Sequence, residues 1–516
     1  MRGKQIIRTH WFPVLLLFLT ALYFSFSTRF FLFADGSYGH DAGIFAYIGM
    51  AMKNGRVLYT EAWDNKGPLL YFINLLGITL HYRYGIYLLE LITLFITNLF
   101  LYKTALLFFD RWISLLATVF SLLPLSVSLE GGNLSEEYAL AFLSIGLYFI
   151  AKFFRQDCVL KKYEMILVGM TVSAILLLRA NILAFTGVLV LTVIVVLIRQ
   201  KRFTRLLQVF AFALLGFVLF TLPFLVYLVK NHALNACLQT AYFGTLSGFE
   251  PLAKATWIKN VVGMVEAFIN SGAFYIVVCF LLAFAVSLLR KSEGPKELNP
   301  LLWACVFALF VNLAANSLSG AYQMHYFMTF IPILLIPSAW IFDMVRTLMK
   351  KLVSDKTLAT AITCALVCFI SLHSVPQLSH MVINNLRNDK TPLEQYNLIA
   401  SYIEKNALPE DTVQLFGGGP AATANYRTGR LSASRYNYYA NGRFSDEAKT
   451  EFANGIAADI LVEPPRLIIV QSLEKYNDFL AHIDDSSAYL ELIETEYEQD
   501  ITDAGPTKCI IYKRKS

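Results

Sequence analysis

Apolar runs recur along the first three quarters of the chain, broken by short polar stretches. Runs of 18 or more residues are long enough to cross roughly 30 Å of hydrocarbon as a helix. The first run extends from Pro13 to Phe33, and others cover 86–109, 112–129, 137–154, 164–178, 182–198, 207–228, 271–289, 300–317, 323–344 and 357–375. The pattern therefore predicts a polytopic α-helical membrane protein of about eleven spans. Its first run is too long for a signal-peptide core and no small-residue cleavage site follows it, so it reads as an uncleaved span. Basic clusters test the count. They fall at Arg2, Lys4 and Arg8; at Lys152, Arg155, Lys161 and Lys162; at Arg199, Lys201, Arg202 and Arg205; at Arg290, Lys291 and Lys296; and at Arg346, Lys350, Lys351 and Lys356. With eleven spans every cluster lies on the inner side, as the positive-inside rule requires. The stretch 163–198 must then cross twice, with Arg179-Ala180-Asn181 as a tight outer turn. The N-terminus is expected in the cytoplasm and the C-terminal part outside the cell membrane.

Two regions depart from simple spans. The first outer loop, 34–85, is long and mostly polar, yet holds two amphipathic stretches. Residues 41–53 place Ile44, Phe45, Ile48 and Met52 on one helical face, and residues 68–80 begin with Pro68, well suited to a first helical position. Both are expected to lie as helices on the outer membrane surface. A second outer segment, 229–270, is partly amphipathic around Trp257. Residues 376–516 read as a separate α/β domain, against 1–375 as the transmembrane domain. TPLEQYNLIASYIEKNA suggests a helix, VQLF, RLIIV and CIIYKR suggest strands, and GGGPAATANYR suggests a loop entering a helix. Gly417-Gly418-Gly419 matches no full nucleotide fingerprint and reads as a strand-to-helix turn.

Composition narrows the class. Of 516 residues, 56% are hydrophobic and 16% charged, against about 25% charged in ordinary soluble domains. A secreted enzyme, a nucleic-acid module and a disordered scaffold are excluded. Residues 376–516 hold 14 Lys+Arg and 20 Asp+Glu, a net −6, which leaves +12 on residues 1–375. The basic excess thus marks topology rather than a nucleic-acid footprint. The seven cysteines, at 158, 237, 279, 305, 364, 368 and 509, are scattered and show no zinc spacing or disulfide framework.

Acidic residues beside a wet–apolar boundary are the sharpest chemical feature. The first outer loop supplies Asp35, Asp41, Glu61 and Asp64 with His40 and Lys66. The next supplies Glu130, Glu136 and Glu137 in EGGNLSEEYALAF. The bland alternatives are helix capping for Asp64 and helix-dipole stabilisation for Glu136 and Glu137. Arg179 could equally snorkel, and His325-Tyr326 could anchor a span at the interface.

The segment GHDAGIFAYIGMAMKNGRVLYTEAWDNKGPLLYFINLLG resembles the first periplasmic loop of GT-C superfamily glycosyltransferases, such as the aminoarabinose transferases and protein O-mannosyltransferases. The matching positions are Asp41, Gly55, Tyr59 and Trp63-Asp64-Asn65-Lys66-Gly67-Pro68. Looser matches are an acid at Glu136 or Glu137, the turn Arg179-Ala180-Asn181, and His325-Tyr326 ahead of Pro332. The C-terminal domain is similar to those appended to bacterial members. The resemblance implies a membrane glycosyltransferase that moves one sugar from a polyprenyl phosphate to an acceptor hydroxyl on a cell-envelope glycan, lipid or protein. It departs at Asp41-Ala42, where many relatives carry two adjacent acids.

The chemistry fits these residue types. A lipid phosphate leaves as an already stabilised anion, so no second acid need protonate it, unlike glycoside hydrolysis. One carboxylate must take the acceptor proton, and cations must meet the departing phosphate. Asp41 is the expected base, with Glu136 or Glu137 assisting it or positioning the acceptor. Asp64, Lys66, Arg179, Asn181, His325 and Tyr326 are the expected substrate-binding residues. Direct displacement predicts inversion. The partners are the lipid-linked donor, the acceptor and the bilayer, with no nucleic acid, and the lipid-linked sugar is a substrate, so no cofactor and no metal are called for. The rival readings are a lipid-sugar flippase, which would want polar residues within the spans, and a polysaccharide polymerase or ligase.

Overall fold

The computed structural model describes residues 2–31, 40–243, 254–289, 296–317, 323–352, 391–417, 419–439, 444–503 and 508–515. Ten of the eleven expected runs are helical, and the last, 357–375, lies outside the described residues. They are α1 (Arg2–Ser25), α4 (Gly85–Ala105), α5 (Arg111–Ser121) with the short α6 (Leu125–Ser128), and α7 (Ser135–Arg155). There follow α8 (Lys162–Leu178), α9 (Leu183–Arg199) and α10 (Phe203–Lys230). After the short α11 (Leu234–Cys237) come α12 (Lys254–Asn270), α13 (Ala273–Leu289), α14 (Asn299–Ser317) and α15 (Ile331–Leu352), the last preceded by a tight helical turn at Met324–Phe330. Among the described residues seven helices are long and apolar enough to cross a bilayer, or eight if a bent pair counts as one span. That pair, α12 and α13, turns by 95° at a two-residue break, where Gly272 takes a φ of 76° that other residues adopt at a cost.

The Arg179–Asn181 stretch is the expected turn: α8 ends at Leu178, Ala180–Ile182 make one tight helical turn, and α9 begins at Leu183. Helix α7 sits at the centre of the bundle with most of its residues buried. Helix α10 instead exposes Leu207, Phe210, Leu222, Val226 and Val229. In a bilayer such an uninterrupted apolar surface faces lipid.

Helices α2 (His40–Lys53) and α3 (Pro68–Leu80) form where expected, but α2 is no half-wet surface helix. Every residue from Ala42 to Ala51 is buried, including Ala46, Tyr47 and Met50 away from the apolar stripe. Helix α3 covers one side and the C-terminal part covers another. Small residues permit the approach: a Cβ on Gly49 would lie 2.8 Å from that of Asn74, and one on Gly43 would collide with Thr423.

The C-terminal part holds α16 (Thr391–Asn406), β1 (Val413–Phe416), α17 (Gly419–Thr428), α18 (Asp446–Val462), β2 (Leu467–Val470), α19 (Leu473–Ala481), α20 (Ser487–Glu496), β3 (Tyr497–Asp503) and β4 (Lys508–Arg514). The sheet order is β1-β2-β4-β3, with β1 and β2 parallel and the other neighbours antiparallel. Strands β1 and β2 are buried along their whole length, as expected when helices cover both faces of a parallel pair.

This part docks on the helical part through aromatic side chains. Trp63, from the α2–α3 loop, lies in the C-terminal core with ring centroids 5.2 Å from Tyr436 and 4.7 Å from Phe452. Its backbone N–H donates to Arg435 O at 2.9 Å. Tyr47 Oη on α2 accepts from Ser432 N at 2.9 Å, and the Tyr82 ring stacks on Tyr426 at 5.2 Å.

Gly67 presses the same loop onto α8, donating from its N–H to Leu178 O at 3.1 Å. A Cβ there would collide with Leu177 O. Gly67→Ala is expected to lower stability by about 1–3 kcal/mol, the cost of overpacking, read as a fall in Tm of the purified protein. Gly187→Ala on α9, where a Cβ meets nothing within 4 Å, is expected to be neutral or stabilising. Equal melting of the two variants would contradict this account of the contact.

Candidate active site

The α2–α3 loop is shaped by its own backbone. Gly55 and Tyr59 take left-handed φ values of 92° and 71°. The chain doubles back, so Tyr59 N donates to Ala62 O at 2.8 Å. Tyr59 Oη then donates to Lys66 O at 2.8 Å, while Lys66 N donates to Tyr71 Oη at 3.0 Å. Lys66 is half-buried, its Nζ donating to Asn65 Oδ1 at 2.8 Å. Through Gly67 and Leu178 this loop meets the end of α8, one residue before Arg179.

Asp64 is buried and holds two tyrosines. Tyr71 Oη donates to Oδ2 at 2.7 Å, and Tyr438 Oη, from the C-terminal part, donates to Oδ1 at 3.3 Å. Burial pushes the Asp64 carboxyl above the usual range, Lys66 and the Tyr71 bond oppose that rise, and the Asp41 charge adds to it. Asp41 sits in the first turn of α2, half-buried, and its charge also acts on Tyr438.

The second group forms at the α8–α9 turn. Arg179 Nη1 contacts Glu136 Oε1 at 2.6 Å and Nη2 donates to Tyr326 Oη at 2.7 Å. Ser135 Oγ donates to the other Glu136 oxygen at 2.8 Å. The guanidinium carbon lies 4.5 Å from the Tyr326 ring centroid. His325 Nδ1 pairs with Glu130 Oε2 at 2.7 Å, and His325 N donates to the same oxygen at 3.3 Å. Asn181 is half-buried in the turn.

A loop of four consecutive left-handed residues, Glu130, Gly131, Gly132 and Asn133 with φ of 45°, 95°, 81° and 54°, ties the two groups together. Glu130 holds His325 at one end. At the other, Asn133 Nδ2 donates to Ala42 O at 3.0 Å, beside Asp41, and to Asn74 Oδ1 at 2.8 Å, while Tyr138 Oη donates to Asn133 Oδ1 at 2.9 Å.

Of the two adjacent glutamates, Glu136 faces this site. Glu137 is buried between α7 and α4, where its charge is felt by Glu90. Sequence reasoning left out Tyr71, Tyr438, Asn133 and Glu90, and did not carry Glu130 into the site. Glu90 was visible as the lone acid of its apolar run, and Glu130-Gly131-Gly132-Asn133 as a cluster suited to positive φ. Tyr438 carries no local signal, since its partner lies 374 residues away. Among the described residues no three His, Cys, Asp or Glu side chains are grouped to hold a metal ion. The assembled elements are the half-buried Asp41, Lys66 on the α2–α3 loop, Arg179 at the α8–α9 turn, and fixed hydroxyls at one end of the helical bundle.

The overall structure is similar to the crystal structure of ArnT from Cupriavidus metallidurans bound to undecaprenyl phosphate, with a TM-score of 0.61, 12% identity and 98% of each chain covered. The apo state of that protein gives a TM-score of 0.62 at 12% identity, again over 98% of both chains. The apo oligosaccharyltransferase of Archaeoglobus fulgidus gives a TM-score of 0.52 at 12% identity, covering 98% of this chain and 74% of that one. No curated protein sequence matches the chain significantly. The fold is thus the GT-C membrane fold that the first-loop motifs imply. In sequence, residues 4–370 match the competence-induced protein Ccs4 N-terminal domain, and the chain belongs to that family.

Proposed function

We propose that the protein is a membrane glycosyltransferase that moves a single sugar from a polyprenyl phosphate to an acceptor hydroxyl. The observation that carries this reading is the contact of the α2–α3 loop, which bears Asp64 and Lys66, with the end of α8 through Gly67 N and Leu178 O at 3.1 Å, one residue before Arg179. It is supported by the likeness to ArnT, whose structure holds undecaprenyl phosphate. In this reading that end of the bundle and the C-terminal domain face the outside of the cell membrane, and the acceptor belongs to the cell envelope. In this reading the reaction proceeds without a metal ion.

Each group has a role that its surroundings permit. The acceptor oxygen attacks the anomeric carbon, Asp41 receives its proton, and the bond from that carbon to the phosphate oxygen breaks with inversion. General-base help of this kind contributes about 10²–10⁴-fold. The departing phosphate gains negative charge, which Lys66 and Arg179 meet as preorganised cations. Arg179 has five N–H donors, so holding Glu136 and Tyr326 leaves others for a phosphate. Glu136 then serves to fix the guanidinium rather than to take a proton. His325, held by Glu130, presents the rest of its ring beside Tyr326.

Asp41→Asn is expected to abolish transfer in vesicles carrying undecaprenyl-phosphate-linked hexoses while leaving membrane insertion intact. Turnover like the wild type would remove Asp41 from the mechanism.

Glu136→Gln is expected to reduce turnover about 100-fold by loosening Arg179, whereas Glu137→Gln, which faces away from the site, should keep activity within about threefold, a difference of roughly 2 kcal/mol in barrier. A reversed order would place the wrong glutamate in the site. Lys66→Ala is expected to raise the KM for the lipid donor more than that for the acceptor, and an unchanged donor dependence would take Lys66 off the phosphate.

A further inference from the structure

Tyr438 is brought to the site from outside the transmembrane bundle. It lies in the segment 431–439 between α17 and α18, and this segment is fixed at several points. Val413 N on β1 donates to Leu431 O at 2.9 Å, Ser432 N donates to Tyr47 Oη on α2 at 2.9 Å, and Gln414 Nε2 donates to Tyr436 O at 3.2 Å. Arg435 O accepts from Trp63 N at 2.9 Å, one residue before Asp64. These bonds place the Tyr438 hydroxyl 3.3 Å from Asp64 Oδ1, opposite Tyr71 at 2.7 Å on the other carboxylate oxygen.

We propose that Tyr438 is a positioning residue, whose hydroxyl holds the Asp64 carboxylate beside Asp41 and so makes the C-terminal domain part of the active site. The proposal rests on the reading of Asp41 as the base. Asp64 is faced by Tyr59 and Lys66 from its own loop, Tyr71 from α3, Asp41 from α2 and Tyr438 from the C-terminal segment. Lys66 is the one cation in that set, and Asp41 the only other carboxylate. A buried carboxylate stays ionised where donors reach it, and Tyr438 supplies one without adding a positive charge that would weaken Asp41 as a base. Loss of the hydroxyl therefore makes Asp64 harder to ionise, and the Asp41–Asp64 pair, titrating jointly, reaches its doubly ionised state at higher pH.

The test uses the full-length protein in nanodiscs with the variants Tyr438→Phe, Asp64→Asn and both together. Phe keeps the ring and its packing. Thermal melting is followed at pH 5 and pH 8. Asp64 is more ionised at pH 8, so Tyr438→Phe should lower Tm more there than at pH 5, and this pH-dependent loss should vanish in the Asp64→Asn background. A loss equal at both pH values, or one that persists with Asp64→Asn, overturns the proposal. In the second arm, release of undecaprenyl phosphate from undecaprenyl-phosphate-linked hexoses is measured. Tyr438→Phe should lower kcat about tenfold, the order expected for a hydrogen bond to a charged acceptor, with the donor KM unchanged and the acid limb of the pH profile moved upward. An unchanged kcat and limb overturns the positioning role even if the melting arm succeeds. If Asp41→Asn retains turnover, the reading of Asp41 as base fails instead, and the melting arm still decides whether Tyr438 holds Asp64.

Discussion

A guanidinium removed from water at the edge of a hydrocarbon layer must be met by carboxylate and hydroxyl partners with good geometry, or its desolvation is not offset. Arg179 meets that requirement with Glu136 and Tyr326, and the rest of the site depends on it. The three residues come from the α8–α9 turn, the start of α7 and the turn before α15, so one ion pair and one hydrogen bond tie three elements together. Removing one partner of such a pair is strongly destabilising, at about 3–5 kcal/mol, because the other charge is left uncompensated. In the proposed reaction, function and folding therefore share this group.

The same economy holds in the loop from Glu130 to Asn133. Non-glycine residues at positive φ cost of order 1–3 kcal/mol each and persist where their surroundings over-determine them. Glu130 is held by His325, while Asn133 is held by Ala42, Asn74, Tyr138 and Glu90. Gly132 between them has no room for a side chain, because Thr28 and Glu90 already occupy that space. The strained loop is thus the rigid link between the helix that bears Asp41 and the turn that bears His325 and Tyr326.

What could be read from the chain follows from this physics. Apolar length and basic clusters depend only on local sequence, so the spans and the 179–181 turn were legible. The short strands VQLF and RLIIV were legible because they are buried apolar runs. Strand β3, YEQDITD, was not, since a polar sheet-edge strand carries no alternation to detect. The α2 helix misled for a related reason. Its stripe of Ile44, Phe45, Ile48 and Met52 predicts one buried face, but small residues at 42, 43, 46, 49 and 51 allow other elements to close on the remaining faces. In the site, Arg179 and the pair Glu136-Glu137 could be named from residue type and predicted side of the membrane, whereas His325 and Tyr326 came only through the family resemblance. Which of Glu136 and Glu137 faces Arg179 could not be named, because that depends on how α7 is rotated within the bundle. Pairings across hundreds of residues, such as Tyr438 with Asp64, have no counterpart in periodicity or motif.

The division of labour between the two parts follows from what each can present. In the proposed reaction Lys66 and Arg179, which belong to the membrane part, stand where a leaving phosphate tied to a lipid would arrive. The C-terminal part contributes to Asp64 a tyrosine hydroxyl, a neutral donor. Had that position carried a lysine or arginine, its charge would favour the anionic form of Asp41 as well as that of Asp64, and a carboxylate so stabilised is a poorer proton acceptor. The two hydroxyls hold the buried Asp64 carboxylate without placing a second cation, besides Lys66, beside it and Asp41. The Trp63 side chain, sunk between Tyr436 and Phe452 in the C-terminal core, fixes the distance over which this can work. Its burial sets where Asp64 lies, and Asp64 in turn sets the electrostatic environment of Asp41.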